Sequence, residues 1–151
     1  MKRAQRLELF RDGLESEKTE CALRLAAAER RSAEARQRLE ELEHYRKEYQ
    51  RSLPGRASGG MHGQSLRDYQ AFIARLGEAI RQQVQIVVRC ELERDFERSR
   101  WQEAATRAKA VETVVDRWHA EERIVLGRAE QRETDERARD IAHRQRAAGD
   151  E

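Results

Sequence analysis

One break divides this chain into two long helical stretches, and that break limits what the chain can fold into. The only proline, Pro54, and four of the glycines fall in the run Pro54-Gly55-Arg56-Ala57-Ser58-Gly59-Gly60-Met61-His62-Gly63-Gln64. Proline removes a backbone donor and clashes with the preceding helical turn, and glycine costs about 1 kcal/mol inside a helix. The simplest object with one break between two helices is an antiparallel hairpin. The expectation is a single all-α domain over residues 1–151, a long antiparallel two-helix coiled-coil hairpin. Its predicted parts are a helix over about 3–52, a loop over about 54–64 and a helix over about 65–146.

The apolar residues support that reading. From Cys21 the spacing alternates four and three through Leu25, Ala28, Ser32, Ala35, Leu39, Leu42, Arg46, Tyr49 and Leu53. Such a repeat is a coiled-coil seam, and its small middle residues let two helices approach closely. The second seam starts near Ser65, a candidate cap answered by Asp68. It runs Leu66, Tyr69, Ile73, Leu76, Ile80, Gln83, Val87, Cys90, Arg94, Glu97, Trp101, Ala104, Ala108, Val111, Val115, Trp118, Glu122, Val125 and Ala129. Arg94 and Glu97 interrupt it, and Leu92 and Phe96 lie just off the seam there, where a local stutter could swap them in. If Leu53 faces Leu66, Met1 meets Trp118. Residues 119 to about 146 then overhang as an unpaired polar helix, frayed or ordered by a partner, and residues 147–151 are expected to be disordered.

Composition narrows the function. Hydrophobic residues make up 38% and charged residues 40%, which suits long helices better than a thick core. Thirty-one basic residues nearly balance 29 acidic ones, and no basic face separates out. That argues against nucleic acid as a partner. No run approaches the ~20 apolar residues of a membrane span. The N-terminus lacks the apolar core of a secretory leader, so a cytosolic protein is predicted. Cys21 and Cys90 would sit about 12 Å apart along the hairpin axis, too far for a bridge, and are read as reduced thiols.

No catalytic, cofactor-binding or metal-binding constellation stands out. His44, His62, His119 and His143 are scattered, none one turn from another histidine or a cysteine. The glycine-rich run lacks the Gly-Lys-Ser/Thr ending of a phosphate loop. A two-helix hairpin encloses no pocket, so a non-enzymatic protein without cofactors is expected. The aromatics say more. Tyr49, Tyr69, Trp101 and Trp118 lie on the seam, whereas Tyr45 and Phe72 lie just off it. With Leu42, Leu76 and Ala79 these two either pack over the seam edge or form an apolar patch for a partner.

The same residues carry a family resemblance. Leu39-Glu40-Glu41-Leu42-Glu43-His44-Tyr45-Arg46-Lys47-Glu48-Tyr49, a glycine-containing loop, and Tyr69-Gln70-Ala71-Phe72-Ile73-Ala74-Arg75-Leu76-Gly77-Glu78-Ala79-Ile80 resemble the FliJ family of flagellar type III export proteins. Arg132-Glu133-Thr134-Asp135-Glu136 is similar to a C-terminal motif of that family. The resemblance implies a cytoplasmic export component, peripheral at the base of the flagellar export apparatus and shaped like the γ-subunit stalk of ATP synthase. Its implied partners are the hexameric ring of the export ATPase FliI, the export-gate protein FlhA and export chaperones. By position, Leu42, Tyr45, Tyr49, Phe72, Leu76 and Ala79 are candidates for gate binding. The N-terminal region and the C-terminal overhang, including Gln131, Arg132, Asp135 and Glu136, are candidates for ATPase contact. Arg38 and Gln83 flank the gate patch where the resemblance would place Gln and His. The alternative is a coiled-coil stalk or scaffold of a related virulence type III secretion system.

Overall fold

The computed structural model describes residues 2–58 and 63–150. It contains two helices, α1 (Arg3–Ser58) and α2 (Gly63–Gly149). They pack against each other as an antiparallel two-helix hairpin, and there are no strands among the described residues. Two packed units make up the chain. One is formed by Glu17–Ala104, the other by Met1–Ser16 with Ala105–Glu151.

In the unit Glu17–Ala104 the antiparallel course is visible in the cross-helix contacts. The Tyr49 and Tyr69 rings stack with centroids 5.9 Å apart. The Gln83 side chain donates to the Ala35 carbonyl at 2.9 Å, and Arg98 faces Glu29 at 3.8 Å. As the α1 number falls, the α2 number rises. The second unit runs the same way: the Arg3 guanidinium lies 5.0 Å from the Trp118 ring centroid, and His119 Nε2 is 3.1 Å from Glu8.

The core follows the predicted seam from Cys21 to Leu53 and from Tyr69 to Trp118, whereas Leu66, Glu122, Val125 and Ala129, placed on the seam by spacing, are exposed. Cys21, Ala28, Ser32 and Ala35 are buried on α1, and Leu76, Ile80, Gln83, Val87, Ala104, Ala108 and Val115 on α2. Every other seam position from Leu25 to Leu53 is half-buried. Cys21 and Cys90 are free thiols. Outside the seam, Glu and Arg pair across and along the helices, as in Arg36 with Glu91, Arg31 with Glu93 and Arg81 with Glu78. Exposed pairs of this kind contribute about 0–1 kcal/mol each.

The structure departs from the sequence expectations at three helix ends and decides the stutter that the spacing left open. First, α1 does not stop at residue 52 but passes through Pro54 and Gly55 to Ser58. Pro54 leaves the Gln50 carbonyl without its usual donor, yet it lies within the last turn and a half, where few helical bonds remain to be lost. Second, α2 starts at Gly63, so Ser65 lies inside the first turn instead of capping it. Gln64, not Ser65, reaches Asp68, at 3.4 Å. The remaining expected loop residues, 59–62, lie outside the described residues.

No stutter occurs. Arg94 and Glu97 keep their half-buried seam positions, while Leu92 and Phe96 stay 64% and 59% exposed. The aliphatic stem of Arg94 can line the seam while its guanidinium turns out to Asp95, at 3.1 Å. At the third helix end, α2 continues past residue 146 to Gly149. Ala147 and Ala148 are strong helix formers and cost nothing to include.

Candidate partner-binding surfaces

Near the connected end of the hairpin, four aromatic residues meet. Tyr45 and Tyr49 lie one turn apart on α1, and Tyr69 and Phe72 three residues apart on α2, so each pair shares a helix face. The Tyr49–Phe72 centroids are 4.6 Å apart, Tyr45–Tyr49 5.7 Å and Tyr45–Phe72 6.2 Å, the last edge-on at 76°. Offset and edge-to-face geometries are those that aromatic rings favour. The Tyr49 carbonyl receives two side-chain donors, Ser52 Oγ at 2.8 Å and the Tyr69 hydroxyl at 3.3 Å.

The six residues of the candidate gate patch do not present themselves equally. Tyr45 is 48% exposed, whereas Leu76 is only 8% exposed and belongs to the core. Leu42, Tyr49, Phe72 and Ala79 are half-buried. Of the two readings for the off-seam aromatics, Phe72 fits packing over the seam edge, while Tyr45 offers a ring to solvent. Gln83, on the patch margin by sequence, points into the core and spends its amide on Ala35. Arg38, on the other margin, is exposed.

The second candidate group lies on the exposed part of α2. Gln131, Arg132, Asp135 and Glu136 are all exposed, as is every described position from Glu121 onward. Gln131 donates to Asp135 at 3.1 Å, and Arg137 pairs with Glu133 at 2.7 Å. These contacts four residues apart support the helix locally. Upstream, the seam pattern continues beyond the start of α1. Trp118, Glu121, Glu122, Val125 and Leu126 line an open, mostly apolar groove, and Trp118 Nε1 donates to Glu122 at 3.0 Å. Reading Trp118 only as a seam residue missed that groove. The seam's own continuation through Val125 was the signal that could have found it.

Among the described residues, no group of three or more His, Cys, Asp or Glu is arranged to hold a metal ion. His44 lies 3.2 Å from Glu48 and His119 3.7 Å from Glu122, each contact running along its own helix. No helix among the described residues is long and apolar enough to cross a membrane.

A family model described as "Flagellar FliJ protein" matches residues 2–147. No curated protein and no solved structure matches the chain.

Proposed function

The chain belongs to the flagellar FliJ protein family, and on that footing we propose that it is a non-enzymatic adaptor of the flagellar export apparatus. It binds the export ATPase FliI and links it to the gate protein FlhA and to export chaperones, working in the cytoplasm at the base of the apparatus. The observation that carries the reading is Tyr45, nearly half exposed and braced by Tyr49 and Phe72. An aromatic ring held in place by its neighbours is a typical interface anchor, because little side-chain freedom is lost on binding. Tyr45, with the exposed edges of Leu42, Tyr49, Phe72 and Ala79, is the gate-binding surface. Leu76 supports them from the core.

The ATPase is met by the exposed part of α2. Gln131, Arg132, Asp135 and Glu136 there are free of the seam and face solvent. A bare charged helix can take its position from the walls of a ring without needing a pocket of its own. The direct test is a binding assay with purified ATPase and purified gate fragment. Full-length protein should bind both. Truncation after Trp118 should abolish ATPase binding and leave gate binding in place. Undiminished ATPase binding by the truncated chain would remove the overhang from the account.

A further inference from the structure

The exposed part of α2 carries a second heptad row. Ile124, Gly127, Gln131, Thr134, Ala138 and Ile141 follow one another at steps of three and four, and Gln145 continues the row. None of them is charged. Of the other residues in 127–146, all but Ala129, Ala142 and His143 are Arg, Asp or Glu. An uncharged heptad row between charged flanks is the pattern of a coiled-coil seam. Each member stands two places after a position of the hairpin seam, as Ile124 does after Glu122 and Gly127 after Val125. Two places are about 200° round the helix, so the row faces away from the line that α1 follows. Its large members, Ile124 and Ile141, are 54% and 55% exposed.

The row complements itself in one direction. Set antiparallel to a second copy, with Gln131 opposite the copy's Thr134, it brings Ile124 opposite Ile141 and Gly127 opposite Ala138. Large apolar residues then meet each other, small ones meet each other, and the polar layers lie next to the two-fold axis. Moving either copy by one heptad separates the isoleucines. Thr134 Oγ1 donates its proton to the Glu130 carbonyl at 2.9 Å, so its lone pairs are left to accept from the copy's Gln131 amide. Gln131 gives one amide hydrogen to Asp135 at 3.1 Å and keeps the other. Such polar layers fix a register at some cost in stability.

We infer that two copies of this chain associate through this row, α2 against α2 and antiparallel, over residues 124–141. The charges that flank the row choose the direction. In the antiparallel pair Glu130 lies beside the copy's Arg137 and Arg128 beside its Asp135, and the two-fold makes each pair twice. Arg137 also holds Glu133 of its own helix at 2.7 Å, and its guanidinium fork has donors for both carboxylates. Only the outermost flank, Arg123 beside Arg144, is like-charged. A parallel pair would instead place Arg123 beside Arg128 and Glu130 beside Asp135, both like-charged. The antiparallel course also keeps α1 of either copy out of the way, since Trp118 of one copy is level with Ala147 of the other. This inference does not rest on the export reading.

The test is sedimentation equilibrium of the full chain from about 1 μM to about 1 mM. The mass should rise from 17.7 kDa toward twice that value. Ile124→Glu and, independently, Ile141→Glu should each raise the concentration of half-association at least about tenfold. Both sites are exposed, so helix content should match the parent. Glu130→Arg should weaken association, and Glu130→Arg combined with Arg137→Glu should restore it. A monomer mass up to the highest concentration would leave the row to a helix of another protein and overturn the proposal. So would a dimer that keeps its affinity in both isoleucine variants, because the copies would then meet elsewhere. Association strengthened by Glu130→Arg would mean a parallel pair and would overturn it as well. No arm of the test involves the ATPase or the gate, so its outcome and that of the export reading stand apart.

Discussion

The Gln83 side-chain amide donates a hydrogen bond of 2.9 Å to the Ala35 carbonyl across the seam, with both residues buried. A polar side chain at a core position costs stability but fixes how two helices align, because only one register gives it a partner. Gln83→Ala removes the bond and leaves a void, and should lower stability by about 1–3 kcal/mol in urea unfolding. Gln83→Leu keeps most of the volume and should be at least as stable as the parent. Its loss should appear instead as a second set of amide resonances near residue 35, from a competing register.

Glu97 keeps its seam position at a cost. Its Oε2 is buried and has no hydrogen-bond partner among the described residues. A buried carboxylate oxygen without a donor has given up water for nothing. Glu97→Leu should therefore raise stability by about 1–3 kcal/mol, seen as a higher urea midpoint at unchanged slope. A lower midpoint would mean that the carboxylate is satisfied in solution.

Pro54 sits inside α1, four residues before its end. Pro54→Ala supplies the donor that the Gln50 carbonyl lacks, while adding freedom to the unfolded chain. The net effect should be a gain of about 1–2 kcal/mol. Hydrogen exchange at residue 54 should show measurable protection. If the variant is destabilised, the proline serves the turn and not merely the end of the helix.

These cases show which levels of the structure were legible in the sequence. The seam was, from Cys21 to Leu53 and from Tyr69 to Trp118, because heptad spacing dictates which face of a helix is covered. The helix ends were not. Pro54 and Gly55 read as a break by residue type, but a helix with a long packed seam behind it carries through them for one more turn. Spacing leaves open whether a stutter swaps in Leu92 and Phe96, because the polarity of Arg94 and Glu97 argues for it and the burial of the seam on either side argues against it. At the aromatic cluster, spacing put Tyr45 and Phe72 off the seam. It could not say that Phe72 tucks against Tyr49 at 4.6 Å while Tyr45 stays out. Nor could it say that Leu76, counted with the patch, lies in the core.

The adaptor reading depends most on Tyr45, and the affinity of the full chain for the purified cytoplasmic part of the export gate measures it directly. Tyr45→Ala, alone and with Phe72→Ala, should weaken that affinity by at least about tenfold, as loss of an anchoring aromatic does. Circular dichroism of the Tyr45→Ala chain should match the parent, because the ring lies outside the seam. Parent-like gate affinity in both variants would contradict the account.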